Sequence, residues 1–234
     1  MNKRFSLQTV FLVSMLFFLS PAYANDIYIQ QSGDNLDLDI TQDGQNNVAG
    51  TSLTGIALDG NTMTFSINQV GNSNIVSATI NGNTYTGNID LTGNSNDVAL
   101  LCDSADAGNC ETVSMSIDVT GDSADVNVSI GESADAQNFV GTIDITSAAS
   151  ETITLTADGT NADADIDITN SLGSAGNTAT YDINGDGDVN GHSLTHSHTG
   201  DGAVINMTQS GIYDNVIDVT TSGDNANIDI TQSD

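Results

Sequence analysis

The sequence predicts an all-β chain wound as a β-solenoid, and three observations carry that prediction. A four-residue phrase, apolar-Asp/Asn-apolar-Thr, recurs along the chain. Short runs of Gly, Asn, Asp and Ser separate its copies. The copies also keep time: Ile217 to Ile228 is 11 positions and Ile67 to Ile89 is 22. Strict alternation puts every second side chain on one face, as in a half-buried strand, whereas a helix needs apolar spacings of three and four. The separators are residues that accept positive φ or hydrogen-bond their own backbone, so they turn the chain. A strand-turn-strand-turn unit of about 22 residues cannot bury its own apolar face, and stacking on its neighbours is what makes a solenoid.

Taken in order, the first element is an address. Lys3 and Arg4 precede an apolar stretch from Val10 to Leu19, and Pro21 with Ala22-Tyr23-Ala24 follows. A basic start, a short apolar run and an A-x-A exit predict a secretory signal peptide over residues 1–24, cleaved after Ala24. The run is too short to span a bilayer, and no later stretch is apolar enough to do so. Residues 25–234 are therefore expected outside the cell or on its surface, as one repeat domain. Its clearest phrases are Leu38-Asp39-Ile40-Thr41, Ile89-Asp90-Leu91-Thr92, Ile117-Asp118-Val119-Thr120 and Ile143-Asp144-Ile145-Thr146. They return as Ile166-Asp167-Ile168-Thr169, Ile205-Asn206-Met207-Thr208, Ile217-Asp218-Val219-Thr220 and Ile228-Asp229-Ile230-Thr231, with looser copies at Ile27-Tyr28-Ile29-Gln30, Val126-Asn127-Val128-Ser129 and Ile153-Thr154-Leu155-Thr156. Two stretches, near 99–112 and 171–203, break the rhythm and read as irregular loops or decorated turns. The first holds Cys102 and Cys110, which in an oxidising compartment are expected to form a disulfide.

Charge removes whole classes of function. The chain has 31 acidic and two basic residues for a net charge of -29, and both basic residues lie in the signal segment. Nucleic-acid binding needs Lys and Arg to displace counterions from phosphates, so it is excluded. An anionic membrane surface is equally unsuitable, as is any chemistry that clamps a phosphate or carboxylate with a cationic side chain. Residues 25–234 also lack Pro, Lys, Arg and Trp, and their only rings besides histidine are Tyr28, Phe65, Tyr85, Phe139, Tyr181 and Tyr213. An aromatic-poor core fits thin stacked coils better than an ordinary globule.

Several phrases continue beyond the strand in a fixed way. Gln42, Gly44 and Asn47 recur as Gln69, Gly71 and Asn74; Gln209 and Gly211 repeat part of the pattern, and Gln232 opens another copy. In this they resemble curlin repeats, the units of the major subunit of bacterial curli fibres. The resemblance implies a secreted β-solenoid whose inward Gln and Asn stack into ladders, and which polymerises end to end into an amyloid-like fibre of a biofilm matrix. It brings in other copies of the chain, a secretion channel or a nucleator as partners. Independently of it, pairing edges free of Pro and Lys favour cross-β stacking. Asp at the second phrase position faces outward, so in-register stacking sets carboxylates about 4.8 Å apart, and cations or lowered pH are expected to relieve them.

Two local constellations stand apart. Asp182, Asn184, Asp186, Asp188 and Asn190 place oxygens at alternate positions around Gly187, resembling the calcium loop of EF-hand and dockerin proteins. Position twelve is Ser193 where that loop needs a bidentate Glu, so any Ca²⁺ binding is expected to be weak. His192, His196 and His198 project on one face with Leu194 if the segment is extended, and imidazoles so spaced suit Zn²⁺ or Cu²⁺; in an exposed loop they are merely solvated. Apart from calcium no cofactor is implied. The leading expectation is a self-assembling structural subunit, ahead of a monomeric Ca²⁺-dependent adhesin or binding module and of ice binding through Thr columns. An enzyme comes last, since no carboxylate pair is singled out and parallel β-helix lyases lean on basic residues.

Overall fold

A computed structural model describes residues 26–44, 46–50, 55–71, 73–102, 112–131, 136–170, 177–184, 192–210 and 216–233. The signal segment lies outside them. The chain is a β-solenoid, and no helix occurs among the described residues. It opens with β1 (Asp26–Ile27), β2 (Gln30–Ser32) and β3 (Asp37–Asp43), followed by β4 (Val48–Ala49), β5 (Ile56–Asp59) and β6 (Met63–Val70). Longer strands come next: β7 (Ser73–Asn81), β8 (Thr84–Thr92), β9 (Ser95–Cys102), β10 (Thr112–Ile130) and β11 (Ala136–Asn170). The chain ends in β12 (Thr178–Asn184), β13 (Ser193–Thr199), β14 (Val204–Ser210), β15 (Val216–Ser222) and β16 (Asn227–Ser233).

Among the described residues every strand pairing is parallel and links one coil to the next. One face stacks β3, β6, β8 and the first halves of β10 and β11. The opposite face is a path nine strands long, β1-β4-β7-β9-β10-β11-β12-β14-β16. The last part of β11 pairs with β13, which pairs with β15. Strands β10 and β11 cross from face to face while staying extended, β10 through an irregularity between Gly121 and Ser123. All sixteen strands therefore count as one wound sheet.

The coil length is elastic. Met63 stands over Tyr85, 22 positions on, but Asp37 pairs with Thr64, 27 on, and Thr84 with Thr112, 28 on. The extra residues fall between β4 and β5 and between β9 and β10, outside the strands. Register also corrects the alignment of one phrase. Ile40, Ile67, Ile89, Ile117 and Ile143 form a single buried column, so Leu38-Asp39-Ile40-Thr41 sits two residues out of step with Ile89-Asp90-Leu91-Thr92. The inward face decides register, because a slip would turn the apolar set outward or break the column.

The core is the space between the faces, filled by columns of Ile, Val and Leu. Each fully buried aliphatic side chain contributes about 1.5–3 kcal/mol by leaving water, which is how so few rings suffice. Where rings do enter, glycine makes room: a Cβ on Gly87 would overlap the Phe65 ring and the Met115 thioether.

The stretch near 171–203 is less irregular than expected, since β12 and β13 both run through it; near 99–112, β9 continues to Cys102 and β10 begins at Thr112. The alternation of β13 is complete, but its inward residues are Leu194, His196 and His198. Histidine does not register as apolar in a pattern, so the strand is hidden from hydropathy.

Candidate functional site

The strands place the Gln and Asn of the repeats on the inside of the first coils, where they form two ladders. Gln42 and Gln69 face each other across β3 and β6, and both are buried. The Gln69 amide donates from Nε2 to Oε1 of Gln42 and to the Ile75 carbonyl at 3.3 Å, while Gln42 Nε2 donates to the Val48 carbonyl at 3.2 Å. Asn47, Asn74 and Asn96 line the adjoining corner. Asn47 Nδ2 donates to the Val70 carbonyl (2.7 Å), to the Gln42 carbonyl (3.4 Å) and to Asn74 Oδ1 (3.3 Å). Asn74 Nδ2 repeats the pattern toward Thr92 (2.8 Å) and Gln69 (3.2 Å), and Asn96 Nδ2 toward Thr120 (3.3 Å). These amides add a second donor to carbonyls at the strand ends that already accept a backbone N–H, Val70 from Gly44, Thr92 from Gly71 and Thr120 from Gly93. Gly44 and Gly71 stack beneath one another; Gly71 has φ 156°, and a Cβ there would run into the Gly44 carbonyl. Only glycine permits both that backbone and that approach.

The amide ladder gives way to hydrocarbon in the middle coils. The column begun by Gln42 and Gln69 continues as Leu91, Val119 and Ile145. On the opposite face the column runs Gln31, Leu58, Ile80, and later Ile183, Gln209, Gln232. Gln209 is buried and donates from Nε2 to the His192 carbonyl at 2.7 Å, whereas Gln232 on the last strand is exposed. Gly211 lies outside the described residues. Gln31 was absent from the sequence-based set, although Gln31-Ser32-Gly33 repeats Gln209-Ser210-Gly211 and carried the signal.

Outward columns hold the charge. Asp90, Asp118 and Asp144 stand in register, as do Asp97 and Asp125. Partial burial, then Asp144 and Asp90, raise the Asp118 carboxyl above its ordinary range; partial burial and Asp125 do the same to Asp97. Beside the first column Thr92, Thr120 and Thr146 stack on the same exposed face.

The remaining predicted positions divide. Cys102 is buried at the end of β9 and disulfide-bonded, while Cys110 lies outside the described residues. Asp182 is exposed near the end of β12 and Asn184 is its last residue; Asp186, Asp188 and Asn190 are not among the described residues. The histidines are interior. His192, His196 and His198 are all buried, with Ser193, Thr195 and Ser197 on the other side of β13. Tyr181 Oη and His196 Nδ1 share a 2.8 Å hydrogen bond, Asn177 Nδ2 lies 3.2 Å from His198 Nε2, and the two imidazoles stack with centroids 6.2 Å apart. Burial and then the neighbouring His198 push His196 down to about 4; burial lowers His198 and raises Tyr181. These rings are packing groups held neutral. Among the described residues no group of three or more His, Cys, Asp or Glu is arranged to hold a metal ion.

No known family model, no curated protein and no solved structure matches this chain.

Proposed function

We propose that the chain is an exported structural protein, the self-assembling subunit of an extracellular amyloid-like fibre or matrix. One observation carries this reading. Among the described residues, β1, β2 and β3 at one end and β15 and β16 at the other each pair along one edge only. Their apolar residues are left part-covered or open: Ile228 and Ile230 are 41% and 46% exposed, and Ile27, Ile29 and Leu38 are partly buried. An unpaired, flat strand edge is a template for another chain, and solenoids that stay single cover it. The absence of Pro, Lys and Arg from residues 25–234 removes the usual blocks to such pairing.

The outward carboxylate columns add a condition. Asp stacked in register repels along the axis within each subunit, as Asp90, Asp118 and Asp144 do. Calcium between carboxylates, or protonation, lowers that cost, and assembly is expected to respond to both. The test is negative-stain electron microscopy of residues 25–234 with millimolar Ca²⁺, with chelator, and across mildly acidic pH. Unbranched fibrils whose yield rises with Ca²⁺ support the reading. Dispersed monomers under every condition would end it and move the chain to a monomeric binding module. Fibrils indifferent to chelator and pH would leave assembly standing and remove the role given to the carboxylates.

A further inference from the structure

The two ends of the solenoid carry one strand phrase in one register. Pairing from coil to coil brings the column that starts at Ile27 out at Ile228, and the column that starts at Gln31 out at Gln232. Residue by residue, Ile27-Tyr28-Ile29-Gln30-Gln31-Ser32 corresponds to Ile228-Asp229-Ile230-Thr231-Gln232-Ser233. The same apolar-x-apolar-x-Gln-Ser phrase already stacks inside the molecule, where Ile205, Met207, Gln209 and Ser210 of β14 stand on Ile228, Ile230, Gln232 and Ser233 of β16.

Resting on the fibre reading above, we infer that a second copy docks its first rung on β16 head to tail, setting Ile27 on Ile228, Ile29 on Ile230 and Gln31 on Gln232. On this face the joint repeats the contact β14 makes with β16 and continues its columns in register. It extends the amide ladder in the sense used between the first coils, where Gln69 donates to Gln42 of the coil before it. Gln31 spends one amide hydrogen on the Gly33 carbonyl at 2.8 Å and keeps a second for Gln232 Oε1. Charge also selects this pairing. Outward on this face the joint places Tyr28 on Asp229 and Gln30 on Thr231, so no carboxylate meets another, unlike the internal Asp90-Asp118-Asp144 column. A tail-to-tail contact reverses one strand, and the three inward pairs no longer coincide.

The experiment blocks one end at a time in residues 25–234. Ile230→Lys leaves only the head able to pair, and Ile29→Lys only the tail. In sedimentation each variant alone is expected to remain monomeric, and an equal mixture to give dimers and nothing larger, while the unmodified chain polymerises. Dimers from either variant alone, or none from the mixture of folded variants, overturn the head-to-tail joint while leaving a polymerising wild type intact. A wild type that never polymerises overturns both the joint and the reading beneath it. Because Ile29→Lys strikes a partly buried side chain, register is tested separately with outward positions. Tyr28→Cys with Asp229→Cys puts two Cα atoms about 4.8 Å apart, within disulfide reach, whereas Tyr28→Cys with Thr231→Cys moves them to about 8 Å. Oxidised fibres of the first pair are expected to run as a ladder of covalent multimers that reductant collapses, and fibres of the second as monomers. Equal cross-linking, or the reverse order, overturns the register. Cys102 is disulfide-bonded and does not compete.

Discussion

The buried side-chain amides act on carbonyls more than on each other. Asn74 serves two carbonyls, those of Thr92 and Gln69, and accepts from Asn47. Replacing it by Ala removes that donor from both carbonyls, and since the Thr92 carbonyl keeps the Gly71 N–H, each lost hydrogen bond costs about 0.5–1.5 kcal/mol. Asn74→Ala is therefore expected to lower the urea midpoint clearly, while Asn94→Ala on the exposed side of the same corner changes it little. A midpoint unmoved by Asn74→Ala would mean the corner relaxes or takes up water. In sequence this role was legible as the Gln-x-Gly-x-x-Asn spacing of Gln69, Gly71 and Asn74. Its extension to Asn96 was legible only in the identical Gly-Asn-Ser-Asn of 71–74 and 93–96, because the Gln two positions before the glycine has become Leu91.

Between strands the dominant tension is electrostatic. Asp118 sits between Asp90 and Asp144 on adjacent rungs, and its carboxyl is raised by partial burial first and by those neighbours next. A carboxyl whose folded value lies above its unfolded value favours folding below the unfolded value and loses that contribution as pH rises through the folded one. Asp118→Asn is accordingly expected to stabilise the chain at neutral pH, most at low salt, with the gain shrinking as pH falls into the carboxylate range. Thermal melts of the variant and the parent at two salt concentrations check this. A gain independent of both salt and pH would assign the effect to side-chain packing, not to repulsion. The alternation that turns these Asp outward was plain in the phrases; which carboxylates stack was not, since unequal coil lengths decide who stands on whom.

Acid acts on the whole molecule in two opposite senses. Protonation relieves Asp118 and Asp97, but it also charges the buried imidazoles of the last coils. His196 drops from its ordinary value near 6.5 to about 4 on burial, a difference on the order of 3 kcal/mol. A basic group lowered in the folded state contributes its full stability above about 6.5 and loses it as pH falls toward about 4. Stability is thus expected to decline between those limits for the parent chain. In Tyr181→Phe/His196→Phe, which removes the imidazole together with its hydrogen-bond partner, the decline is expected to flatten. Urea midpoints across this range measure it, and an unchanged slope in the double variant would place the titrating group elsewhere. The same competition predicts an optimum in fibre yield at mildly acidic pH, bounded below by opening of the histidine-containing coils.

Local alternation, turn residues and spacing are short-range properties, and they were enough to determine the β-solenoid, the inward and outward faces, and the amide positions of the first coils. What only the tertiary structure decided is vertical. Coil lengths of 22, 27 and 28 positions shift which phrases coincide, so the Ile40-to-Ile143 column and the Asp90-Asp118-Asp144 stack emerge only from the pairing register. Histidine can be core or surface by composition, and packing against Tyr181 and Asn177 made His196 and His198 core. The kinship of Ile27–Ser32 with Ile228–Ser233 lay in the sequence throughout, but its meaning depended on nine stacked strands bringing both segments into the same columns at opposite ends.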